Sequence, residues 1–229
     1  MHPYTSQIQN NLAAHANPLE ALPMKRYMRD QFEFLGIKTP QRSALMNEFI
    51  LAHGLPAESE LENVISDLWS LTEREYQYTA LGLIEKMEKK LPVDFLYILE
   101  KLIITKSWWD TVDTIAGGPI GTLLLRFPQA RIEFLPRWQN AGNIWLRRTA
   151  ILFQLGYKDK TDFNLLRAII EENLGSKEFF INKAIGWALR QYSRVDGPGV
   201  REFVAATPLS PLSAREALSW LEKHTSKNS

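Results

Sequence analysis

Ser107-Trp108-Trp109-Asp110-Thr111-Val112-Asp113-Thr114-Ile115 places a polar residue able to cap a helix ahead of a short amphipathic segment. Trp108, Val112 and Ile115 stand at i, i+4 and i+7, the spacing of one helical face. Trp109 and Asp113, at i and i+4, are neighbours on another face. The layout recurs along the chain. Segments beginning at Thr39-Pro40, Thr72-Glu73, Asn143-Ile144, Ser176-Lys177 and Ser210-Pro211 can be laid over it, with small apolar anchors at Ala44, Ala80, Ile115, Ala150, Ala184 and Ala217. The anchors are 36, 35, 35, 34 and 33 residues apart. A period of this size with helical content is the signature of stacked helical repeats. The fold expected is all-α: a superhelical solenoid of antiparallel helix pairs with a concave basic groove, forming a single domain over residues 1–229.

Two residues before the anchors stand Arg42, Tyr78, Asp113, Arg148, Asn182 and Arg215. At 100° per residue this position points about 160° away from the anchor. If the anchors face the core, this row faces a shared groove, and Asp113 is its lone carboxylate among three arginines. Thr39-Pro40 and Ser210-Pro211 suit a cap followed by proline in the first turn. Thr72 with Glu75, and Ser213 with Glu216, fit capping boxes. Cap-to-anchor distances of 5, 8, 8, 7, 8 and 7 residues start most of these helices at one level. Their N-termini would form a rim of backbone N–H groups suited to phosphates. Asp196-Gly197-Pro198-Gly199 reads as a turn, and Ala116-Gly117-Gly118-Pro119 as a helix break.

Composition removes several function classes. The 229 residues contain no cysteine, which excludes disulfides, thiolate zinc sites, iron–sulfur clusters and a cysteine nucleophile. The four histidines have no metal-binding spacing, and there is no P-loop, strand-linked G-x-G-x-x-G or G-x-S-x-G elbow. No metal or organic cofactor is expected. Nothing resembles a signal peptide or a membrane span, so the expectation is a cytoplasmic protein. Net charge is +1, so any nucleic-acid face must come from the distribution of charge rather than its sum.

On the groove side, an indole beside a carboxylate is unusual for a solvated face. Asp113 stands in register with Arg148, and two readings stay open: a structural ion pair, or a carboxylate and a phosphate-binding fork set in one groove. Arg147 adjoins it. Trp108 reads as core, and so do Trp187 and Trp220, each three residues past an anchor. Lys106, Lys177, Lys183, Arg190 and Arg194 cluster near helix starts, with Arg42 in the first turn after Thr39. They form a candidate cationic set.

At these residues the chain resembles the AlkD-type DNA glycosylases, a bacterial alkylation-repair family built from HEAT-like repeats. The resemblance runs through Pro23-Met24, Arg26-Tyr27-Met28, Phe34-Leu35-Gly36-Ile37 and Thr39-Pro40. It continues through Thr105-Lys106-Ser107-Trp108-Trp109-Asp110, Val112-Asp113, Asn143-Ile144-Trp145-Leu146, Arg148, and Ser176 to Trp187. It implies hydrolysis of the N-glycosidic bond of N3- and N7-alkylated purines in duplex DNA, without flipping the base into a pocket. It further implies Trp109, Asp113 and Trp187 as catalytic residues, Arg148 on backbone beside the lesion, and Tyr27 near the DNA. For Trp187 this displaces the core reading. A monomer binding alkylated double-stranded DNA is the expected working form. The competing expectation from the repeat alone is a non-catalytic scaffold that binds DNA or protein.

Overall fold

The computed structural model describes residues 1–225, and helices make up nearly all of its regular structure. They are α1 (Pro3–Ala13), α2 (Pro18–Tyr27), α3 (Thr39–His53), α4 (Leu61–Ser70), α5 (Arg74–Met87), α6 (Phe95–Ile104) and α7 (Trp109–Ile115). There follow α8 (Gly121–Arg126), α9 (Arg131–Gln139), α10 (Ile144–Leu152), α11 (Phe163–Glu171), α12 (Phe179–Tyr192), α13 (Gly197–Ala206) and α14 (Pro211–Thr225). No strand occurs among the described residues, only an isolated parallel bridge between Glu33 and Glu73. The chain divides into two compact units, Met1–Glu88 and Lys89 onward.

In the first unit, α1, α3, α4 and α5 pack around Ile8, Leu12, Phe49, Val64, Ile65, Leu68, Ala80 and Ile84. The loop between α2 and α3 is held by a side chain forty residues away. The Glu75 carboxylate is fully buried and accepts the backbone N–H groups of Leu35, Gly36 and Ile37 at 3.0, 2.9 and 3.0 Å. The capping box expected between Thr72 and Glu75 is therefore absent. Three backbone amides outbid the local helix end, because a buried unpaired amide is costly and a carboxylate can satisfy several.

The second unit shows the repeat in its contacts. The helices α7, α10, α12 and α14 stack on one another in order, while α6 packs on α7, α9 on α10 and α13 on α14. Anchors Ile115, Ala150, Ala184 and Ala217 are all fully buried in this stack. Small residues at these levels let the helices approach closely. Gly186 marks the tightest approach, since a Cβ there would lie 2.5 Å from the Glu216 Cβ.

The helix starts fall where the repeat places them, but several local expectations fail. Ala44 is exposed, and α3 buries Met46 and Phe49 instead. The first repeat was the one with a cap-to-anchor distance of 5, and Met46 lies 7 residues after Thr39, as in the later repeats. Arg42, two residues before Ala44, nevertheless lies over the ring of Tyr78, the next residue of that row. Ser213 does not form a box with Glu216: its N–H donates to Ser210 Oγ at 3.1 Å and its hydroxyl to the Asn182 carbonyl at 2.9 Å. The expected turn at 196–199 is the start of α13, with the Asp196 side chain accepting the Gly199 N–H at 2.9 Å. The expected break at 116–119 is a wide π-type turn over Ala116–Ile120 that joins α7 to α8, with non-helical backbone at Gly118.

Candidate active site

The second unit positions most of the candidate residues. Helix α7 is only seven residues long, so Trp109 in its first turn and Asp113 in its second lie one above the other. From the next stacked helix, Arg148 meets Asp113 as a fork: Nε donates to Oδ1 and Nη2 to Oδ2, both at 2.7 Å. Its Nη1 donates to the Phe180 carbonyl at the start of α12. One guanidinium thus ties α7, α10 and α12 together. The pair is nearly out of water, with side-chain exposures of 5% for Arg148 and 14% for Asp113. Burial pushes the Asp113 carboxyl above the usual aspartate range; the Arg148 hydrogen bonds and charge pull it back only in part, and Asp110 adds a small upward push.

Behind this pair lies an aromatic cluster. Trp108 packs against Trp145 and Phe180 with ring centroids 5.8 and 5.4 Å apart. Trp108 is half-buried rather than core, and its indole N–H is buried with no hydrogen-bond partner. Trp145 is buried.

Beside the pair a cavity of about 250 Å³ opens, lined by Trp109, Phe179, Phe180, Lys183, Trp187, Arg190 and Glu216. Trp187 is half-buried and faces this space, so the core reading from its spacing fails; Trp220 is likewise half-buried, stacked on His224. Two candidate cations share a carboxylate here. Lys183 Nζ lies 2.8 Å from Glu216 Oε1 and Arg190 Nη1 2.9 Å from Oε2. The Lys183 hydrogen bond, followed by the charges of Lys183 and Arg190, holds the Glu216 carboxyl below its usual range. A larger cavity, about 370 Å³, lies between the end of α10 and α12 and takes in Gln154, Lys158, Tyr192 and Arg194. Its lining contains no carboxylate and no indole, whereas the smaller space has Glu216, Trp109 and Trp187.

The model of the DNA alkylation repair enzymes matches residues 8–221. The chain belongs to the DNA alkylation repair enzyme family. A solved structure described as a predicted DNA alkylation repair enzyme from Enterococcus faecalis is 34% identical, with 91% of this chain and 97% of that chain covered and a TM-score of 0.84. No curated protein matches the chain. Membership of a DNA alkylation repair enzyme family makes DNA the substrate, and no described helix is long and apolar enough to cross a membrane.

The remaining candidate residues of this family member lie at varied depths. Arg147 donates Nε and Nη2 to Asn173 Oδ1 at 3.1 and 2.8 Å. Lys106 precedes α7 in left-handed backbone, φ 51°, and Lys177 is exposed just before α12. Tyr27, Thr39 and Arg42 belong to the first unit. Tyr27 is 71% exposed at the end of α2, and Thr39 is exposed as the first residue of α3. Arg42 lies over the Tyr78 ring at 4.8 Å, and burial lowers its guanidinium pKa. Sequence reasoning missed Glu216 as a site residue. The repeat itself carried the signal: Glu216 follows Lys183 by 33 residues, one period.

Proposed function

We propose that this protein is a monofunctional DNA glycosylase. It hydrolyses the N-glycosidic bond of cationic N3- or N7-alkylated purines, such as 3-methyladenine and 7-methylguanine, in duplex DNA and without flipping the base. The observation that carries the reading is the convergence of Trp109 and Trp187 on one cavity, with the buried, fork-held carboxylate of Asp113 one helical turn from Trp109. The family match spans both units, which supports one functional domain over the chain.

The chemistry follows from charge. An alkylated purine already bears the positive charge that departure removes, so the bonding electrons leave with the base and no general acid is required. As the bond stretches, the deoxyribose becomes oxocarbenium-like. A desolvated carboxylate beside it stabilises that charge more strongly than one in water, and can orient the water that adds at the anomeric carbon and accept its proton. The indole faces of Trp109 and Trp187 offer negative quadrupoles to the electron-poor sugar. Arg148 fixes the direction of Asp113, and of its five N–H groups two are left over for backbone phosphate. Arg147, Lys106, Lys177, Lys183 and Arg190, with Tyr27, Thr39 and Arg42 of the first unit, supply backbone contacts that set register rather than sequence choice. The working form is a monomer acting on the chromosome in the bacterial cytoplasm.

The test is release of 7-methylguanine from methylated duplex DNA by wild type and by Asp113→Asn, with binding measured alongside. Release by wild type only, with the variant still bound to DNA, is the expected result. Equal release by both would sink the role of Asp113. No release by either, with DNA bound, would leave a binding scaffold.

A further inference from the structure

Glu216 is not among the residues the glycosylase chemistry uses, yet it lines the same cavity as both tryptophans. It stands on α14 and reaches across to α12, where Lys183 and Arg190 lie seven residues apart on the face that also carries Trp187. One carboxylate oxygen takes each cation, at 2.8 and 2.9 Å. The carboxylate is the more covered member, 18% exposed against 39% for Lys183 and 32% for Arg190. It therefore grips the two cations from the protein side and leaves their outer faces to solvent.

The surrounding backbone is built for this reach. Gly186 sits mid-helix, where glycine is less favourable than alanine. A Cβ there would meet the Glu216 Cβ at 2.5 Å and the Ser213 carbonyl at 3.0 Å. The Ser213 hydroxyl, donating to the Asn182 carbonyl at 2.9 Å, pins the first turn of α14 to α12. Half-exposed ion pairs contribute little to stability, so stability is a weak reason for such an arrangement.

We propose that Glu216 is a positioning residue for DNA repair. It fixes the heads of Lys183 and Arg190 beside Trp187, so that the DNA backbone meets them at one set height, and it lowers their joint charge from +2 to +1. The clasp trades bulk attraction for register. The inference rests on the cavity being the place where the lesion is met.

The experiment compares wild type with Glu216→Gln in two ways. The first is the salt dependence of binding to undamaged duplex, which needs no catalysis. The second is kcat for 7-methylguanine release. The variant should bind undamaged duplex more tightly at low salt, with a salt slope steeper by about 0.9, one further phosphate contact. Its kcat should fall about tenfold through misplacement. Lys183→Met in the same variant removes the released charge and should return the slope to wild type. If the single variant does not fold, Glu216→Asp serves: it keeps the charge but is one methylene short, so an unchanged slope with lowered kcat is expected. An unchanged slope in Glu216→Gln, or affinity and kcat falling together with Tm, would overturn the proposal in favour of a structural strut. An unchanged kcat in Glu216→Asp would overturn it too. Failure of wild type to release any base would instead count against the glycosylase reading, with the slope still deciding the clasp.

Discussion

Asp113 and Arg148, thirty-five residues apart, face each other through two parallel hydrogen bonds of 2.7 Å on successive helices of one stack. The separation equals the repeat period, so register brings the acid to the base. Either partner alone would be a buried charge without compensation. Together they keep a carboxylate ionised and aimed while nearly excluded from water. Asp113→Asn keeps the size but removes the charge. Excision of 7-methylguanine should fall about 10²–10³-fold, with duplex affinity largely retained. Quantifying free base by chromatography from one methylated duplex preparation checks both.

The pH profile should carry the mark of burial. The pKa of Asp113 is raised, and the mechanism needs the ionised form. Activity should therefore fall, with decreasing pH, at a higher pH than an ordinary aspartate would dictate. Arg148 pulls that pKa down, so in Arg148→Met the acid limb should move to still higher pH. A limb that stays in place would mean that another group controls it. The stability sign is opposite to the usual carboxylate: ionising Asp113 costs folding free energy at neutral pH, and the cost is withdrawn as pH falls through the raised value.

Trp109 and Trp187 are asked for contact with a developing cation. At roughly 0.5–2 kcal/mol per contact, Trp109→Ala and Trp187→Ala should each lower excision about 2- to 30-fold. Phenylalanine at either position should recover part of the loss. Equal activity of the alanine and phenylalanine variants would remove the quadrupole argument.

Gly186→Ala tests the close approach of α12 and α14. The added methyl must displace Glu216 or the turn at Ser213, at about 1–3 kcal/mol. A lowered Tm is expected, read by calorimetry.

The period was legible in the sequence because small buried residues recur where helices cross. Five of the six anchors are fully buried, and the exception, Ala44, had the discordant cap distance. The Asp113–Arg148 register was legible for the same reason. Local capping logic was the weaker guide. Glu75 and Glu216 both sit three residues after a plausible cap, yet each serves partners supplied by the tertiary fold: three amides of one loop for Glu75, two cations of α12 for Glu216. Competition between a local and a distant donor is decided by burial, which the local sequence does not display. The tryptophans misled similarly. Spacing placed Trp108 and Trp187 on the core side, but large rings at a repeat's edge can cover the core with one face and leave the other open.

Glu75 has one further consequence, for what the first unit can lose. The segment from Leu35 to Ile37 gives three amides to a carboxylate on α5, and the Leu35 carbonyl accepts the Asn17 N–H at 2.7 Å. The chain that leads into α3 is cast against a mould that lies later in the sequence. A chain cut short of Glu75 would carry α3 without the acceptor for those three amides.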